Sequence, residues 1–293
     1  MKKKLVFVND IPKQYLEHKE YVKKTICYFF NAFDLVCELK IKFIDSVSAN
    51  EYEETDCIIK NKSIRKHELL ITNSALNTIK HDGGAYFYLS IYHEFEHIRD
   101  YNSMMQTKLF NFNLCLACLN NFENAYISAG FLFWTEIYAY YKTFEFAKQN
   151  ELKFEKITFS NLVNNYIKTV TYNKNLYYKK DLSYDEAMKY INCVNSFVYL
   201  CAKYMASVYM NHSRVPYARI EKNKDYKKVY SILCKLAPKV ERLMKNQYNQ
   251  KSYDNLLRLG KYICENIKWK IFKVGLTKKK RPSYRFISGD TLD

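Results

Sequence analysis

The spacing of apolar positions divides the chain into a short mixed front and a long helical remainder. Lys4–Val8 is a brief β-type run. Pro12 can open a helix, and apolar residues recur with helical spacing from Tyr15 to Phe33. Leu39, Ile41, Phe43 and Ile44 alternate as a strand does. Cys57–Lys60 and Glu68–Thr72 are two further β-rich pieces, and the basic segment Asn61–His67 between them predicts a hairpin or a sheet edge. After the breaker His81-Asp82-Gly83-Gly84, no Gly or Pro interrupts Ala85 to Lys108, which predicts a helix. Helices are also predicted near Asn120–Gln149, Phe159–Thr171, Tyr184–Met210, Tyr226–Asn246 and Tyr253–Phe272. Val215-Pro216-Tyr217 separates the helix ending at Met210 from its successor, and Pro238 should kink that successor or mark its true start. No internal repeat or low-complexity linker interrupts the series. The expected fold class is α+β: mostly helical, a small sheet packed on the helix after Gly84, then a helical C-terminal half. Residues 1–150 would form one domain and 151–293 a basic helical region.

Composition sharpens this. Hydrophobic residues make up 48% of the 293 positions, enough to exclude a disordered chain. Only 4 Pro and 6 Gly stand against 28 Tyr and 19 Phe, which favours helices with aromatic packing. The abundance of Lys, Asn, Tyr, Phe and Ile is also the usage of an AT-rich genome, so the net charge of +17 says little by its size. Its distribution says more. Residues 211–293 hold 21 Lys and Arg against 7 Asp and Glu, whereas residues 1–210 hold 26 against 23. A bias of the genome acts along the whole chain and does not produce that asymmetry. A basic C-terminal part points to nucleic acid, an acidic protein or a membrane surface, with a solvated Lys-rich face as the plainer alternative.

Nine scattered Cys, with Cys115 and Cys118 as a lone C-x-x-C in an apolar run, read as reduced thiols rather than a zinc ribbon. Met1-Lys2-Lys3-Lys4 is followed only by Leu5 to Val8, too short for a signal-peptide core. Ala125–Tyr141 and Val194–Met210 are strongly apolar but carry Glu136 and Lys203, so neither is a clean membrane span. The expectation is a cytoplasmic protein without a membrane span.

The chemistry concentrates in Tyr92-His93-Glu94-Phe95-Glu96-His97-Ile98-Arg99-Asp100, which contains H-E-x-x-H. On a helix, residues four apart share a face, so His93 and His97 can aim both imidazoles at one point. That suits Zn2+, which accepts neutral His nitrogens and leaves a position for water in catalytic sites. Glu94 stands on the flank of that face, able to take a proton from such a water and return it to a leaving amine. Two solvent-facing His on an ordinary helix would be the alternative. A third ligand is needed, and Glu136 in Trp134-Thr135-Glu136-Ile137 is the leading choice, because a lone carboxylate on an apolar helix is costly unless it is paired or binds metal. Glu123 and Glu145 are its rivals in more polar surroundings. Asp100 falls on the same face as both His and could orient an imidazole from behind the ligands. His212 is a weak candidate for stabilising an oxyanion; among so many Tyr, none stands out.

From about Glu68 to Gln149 the chain resembles gluzincin-type zincin metallopeptidases, in particular the ImmA/IrrE-like proteins of bacteria and their mobile elements. His93, Glu94 and His97 match the zinc and base positions of that family, and Glu136 with Ala139 matches its third-ligand segment. The pattern departs from the family in having Glu96 where Gly is usual, and in a longer interval to the Glu. The resemblance implies a small sheet ahead of the active-site helix, with an edge strand that pairs with an extended peptide substrate. It also implies hydrolysis of a protein substrate, such as a transcriptional repressor, by a metallopeptidase with Glu94 as general base. The alternative function is a non-catalytic protein of the same fold whose basic C-terminal helices contact nucleic acid or an acidic partner. A third reading is peripheral membrane binding through Lys278–Arg281 with Trp269 and Phe272.

Overall fold

The computed structural model describes residues 3–46, 57–63, 65–106, 122–154, 157–177, 184–210, 223–244 and 249–271. Cys115, Cys118, His212, Phe272 and Lys278–Arg281 lie outside these, as does the side chain of Glu123. Among the described residues the fold is α+β and mostly helical, as expected, with a four-stranded mixed sheet and eight α-helices. The chain forms two compact units, Met1–Gln106 with Tyr138–Glu155, and Thr107–Ile137 with Lys156–Asp293.

In the first unit, β1 (Lys4–Phe7) leads through a 3-10 turn (Lys13–His18) into α1 (Lys19–Ala32) and β2 (Glu38–Ile44). The hairpin of β3 (Cys57–Ser63) and β4 (Lys66–Thr72) follows, then α2 (Asn73–Asp82) and α3 (Ala85–Met105). The sheet order is β1-β2-β4-β3. β1–β2 and β2–β4 are parallel, while β3 runs antiparallel to β4 and forms one edge. The alternation of β2 buries Leu39, Ile41 and Phe43 and exposes Lys40 and Lys42. α1 buries Val22, Thr25, Ile26, Phe29 and Phe30, the i, i+3, i+4, i+7, i+8 set of an amphipathic helix. Phe29 is the hub of this core. Its ring lies 4.6 Å from that of Tyr88 and also meets Tyr92, Phe95 and Phe146.

No helix was expected between Thr72 and the Gly pair, yet α2 fills that interval. Its apolar stripe is only Ala75, Leu76 and Ile79, too short to show a period, and it is set by Thr72, whose hydroxyl accepts the Ala75 amide at 3.2 Å. The breaker works as its residues predict. Gly83 and Gly84 take φ of +67° and +89°, which L side chains rarely adopt, and the Asp82 carboxylate accepts the amides of Gly84 and Tyr86 to start α3.

His67 on β4 is buried, with its ring edge-on to Tyr101. Burial pushes its pKa down to about 4, against a weaker upward pull from Asn102. The unfolded chain takes up this proton near 6.5 and the folded one resists it. The neutral ring therefore contributes stability that is complete above pH 6.5 and lost as pH falls toward 4, by about 3 kcal/mol in all. Urea midpoints at pH 7 and pH 4.5 should differ more in the wild type than in His67→Phe. Equal pH dependence in the two would refute this account of His67.

The second unit takes the first part of α4 (Phe122–Gln149), whose last part, from Tyr138, belongs to the first unit. It continues with α5 (Phe159–Tyr177), α6 (Tyr184–Met210), α7 (Lys224–Met244) and α8 (Gln250–Tyr262), which passes into a π-helix (Ile263–Trp269). α5 packs on α6 and α7, and α7 on α8. α7 runs through Pro238, so that residue lies inside the helix and does not begin it. Two glycines let α4 and α8 touch backbone to backbone: a Cβ on Gly260 would enter the Tyr126 carbonyl oxygen, and one on Gly130 the Leu256 carbonyl oxygen. None of the seven described cysteines is in a disulfide, and four of them are buried. No helix among the described residues is long and apolar enough to cross a membrane.

Candidate metal centre

α3 is buried around nearly its whole circumference. Of the eight positions from His93 to Asp100, only Arg99 keeps substantial exposure. Five of the eight are ionisable residues sunk in a core, an arrangement that costs several kcal/mol per charge unless each finds a counter-charge or a metal. The alternative of two solvent-facing His is thereby removed.

These groups divide between two sides of the helix. Glu96, fully buried, pairs with the Arg99 guanidinium, which in turn reaches the Tyr138 hydroxyl at 3.5 Å. Burial raises the Glu96 pKa, and Arg99 pulls it back down. Glu96 is thus tied into a polar cluster with Arg99 and Tyr92.

On the other side, His93 and His97 point their Nε2 atoms at each other, 3.0 Å apart, with rings at 89°. The Glu94 carboxylate completes a buried group whose donor atoms all lie within 4.8 Å of one another, and this group could hold a metal ion. The fit is close. Two imidazole nitrogens bound tetrahedrally to zinc stand about 3.3 Å apart.

The other His93 nitrogen, Nδ1, lies 3.4 Å from the Thr143 hydroxyl. Thr143 already gives its own proton to the Ala139 carbonyl at 2.7 Å, so toward His93 it can only accept. With the His93 proton on Nδ1, that hydroxyl would accept it and Nε2 would keep the lone pair a metal needs. Tyr140, one turn earlier on α4, covers the same imidazole with ring centroids 4.3 Å apart. Neither Thr143 nor Tyr140 was singled out from sequence. Thr143 was discoverable in principle, because it falls seven positions after Glu136, on the same face of an apolar helix.

Glu94 also makes a contact that spacing does not reveal. Its Oε2 accepts the backbone amide of Ile59, on the edge strand β3, at 2.8 Å. An amide spent on α3 is not in the ladder to β4, so the outward groups of β3 belong to Ile59 and, by alternation, to Cys57 and Asn61. The strand bordering α3 at this group is therefore β3.

Glu136 is half-buried on α4 and is not a member of the compact donor group. It precedes Tyr140 and Thr143, the two residues of that helix that meet His93, by four and seven positions. Asp100 is buried on α3, three positions past His97. Glu145 forms an ion pair with Lys142 at 2.8 Å. No protein-family model matches this chain, and no curated protein or solved structure does either.

Proposed function

We propose that the protein is a zinc-dependent metallopeptidase that hydrolyses peptide bonds in a protein substrate. The observation that carries this reading is the pair of buried imidazoles whose Nε2 atoms converge to 3.0 Å beside a carboxylate. Two such nitrogens repel unless a proton or a cation lies between them, and a divalent ion also offsets the burial of Glu94. His93 and His97 would hold the ion, with Thr143 fixing the His93 tautomer. Glu136 is offered as the third ligand on helix periodicity, with Asp100 orienting a ligand ring. Bound there, zinc would supply Lewis acidity, polarising water and the scissile carbonyl. Glu94 would accept the proton of the attacking water and deliver it to the departing amine. The edge strand β3, which borders α3, would receive the substrate as an extended strand.

Elemental mass spectrometry of purified wild type, His97→Ala and Glu136→Ala tests the ligand set. About one zinc per chain is expected in the wild type and little in either variant. A wild type that takes up no zinc after reconstitution would overturn the proposal, and full zinc in Glu136→Ala would move the third ligand elsewhere.

A further inference from the structure

α7 is an amphipathic helix whose buried face is Val229, Ile232, Leu233, Leu236, Val240 and Leu243. At 100° per residue, the cations along one border of that face fall almost in line. Lys224, Lys228, Lys235, Lys239 and Arg242 project within an arc of about 60°, and Lys227 flanks them. All but Lys239 are exposed, and the half-buried Lys239 lies over the Tyr262 ring with its ammonium 5.3 Å from the centroid. The helix's two acids, Asp225 and Glu241, project to either side of the line. Among the described residues, Lys224, Lys227, Lys228, Lys235 and Lys239 form no ion pair. From Lys224 to Arg242 the stripe is about 27 Å long.

We propose that this stripe is a docking surface for the sugar–phosphate backbone of double-stranded nucleic acid. The reading is independent of the metal centre. A solvated face carries both signs of charge, often as i, i+4 pairs, whereas here five like charges are aligned at a cost in mutual repulsion. A protein partner would need apolar anchors at the centre of the contact, and the exposed positions beside the cations are Cys234 and Pro238. Membrane insertion would need an outward apolar face, and the apolar face of α7 is spent on the core. Single-strand binders stack bases on aromatic rings, and Tyr226 and Tyr230 project away from the line. A duplex presents one negative charge per about 1.7 Å of axis, so a stripe of this length always faces enough phosphates. Contacts of this kind position without reading sequence.

The test is fluorescence anisotropy of a labelled random-sequence DNA duplex with the full chain, over a salt series. Five phosphate contacts predict a log–log slope of about −4.5. The double variant Lys228→Glu/Lys235→Glu should lower affinity at least tenfold and flatten the slope by about two contacts. Lys228→Gln/Lys235→Gln should give the same change of slope with less risk to folding, and Lys24→Glu on α1 should leave binding unchanged. A wild type that does not bind at low salt overturns the proposal. So does binding that survives both double variants, or binding competed as well by poly-glutamate as by unlabelled duplex.

Discussion

Glu94→Gln is expected to retain zinc and to lose peptide cleavage by about 10²–10⁴-fold, the usual contribution of a positioned general base. The carboxamide has the size of the carboxylate, and its oxygen can still accept the Ile59 amide that Glu94 now holds at 2.8 Å. What it lacks is the basicity to take a proton from water. The fold and the ligand set should therefore survive while turnover does not. Cleavage of a defined peptide mixture, followed by mass spectrometry beside zinc content, separates the two properties. A Glu94→Gln protein that cleaves as fast as wild type would remove Glu94 from the mechanism.

Gly260→Ala should be among the most damaging single substitutions in the second unit. Within a helix, Gly to Ala is ordinarily favourable by about 1 kcal/mol. Here the new methyl would meet the Tyr126 carbonyl oxygen, a backbone atom that cannot rotate away, so α4 and α8 must separate. A loss of about 3 kcal/mol, the upper end for overpacking, is expected, and Gly130→Ala should behave likewise. Gly83→Ala is a useful contrast. It has open space around it but a φ of +67°, so it should cost only about 1–2 kcal/mol. Urea unfolding followed by circular dichroism provides the comparison, and a stabilised Gly260→Ala would disprove the close approach.

Much of the architecture could be read from residue order, because its determinants are local. The strands around Leu39 and Leu69, the Asp82-Gly83-Gly84 break and the long helices ending at Gln149 and Met210 each have a period or a terminator within one window. The same holds for the pairing of His93 with His97, since one helical turn is enough to bring them together. α2 escaped because three apolar positions do not define a period, and the π-helix after Tyr262 because its ladder differs from an α-helix by one residue per turn.

Residue order by itself determined the α+β class, the placing of the histidines on one helix and the concentration of positive charge toward the C-terminus. Tertiary structure alone decided that the Thr143 hydroxyl meets His93 Nδ1, that the Ile59 amide of β3 meets Glu94, and that Gly130 and Gly260 face each other's helix. Those contacts join residues from 35 to more than 120 positions apart. At such separations no repeat or spacing carries the information. It exists only once buried surfaces have been matched in three dimensions.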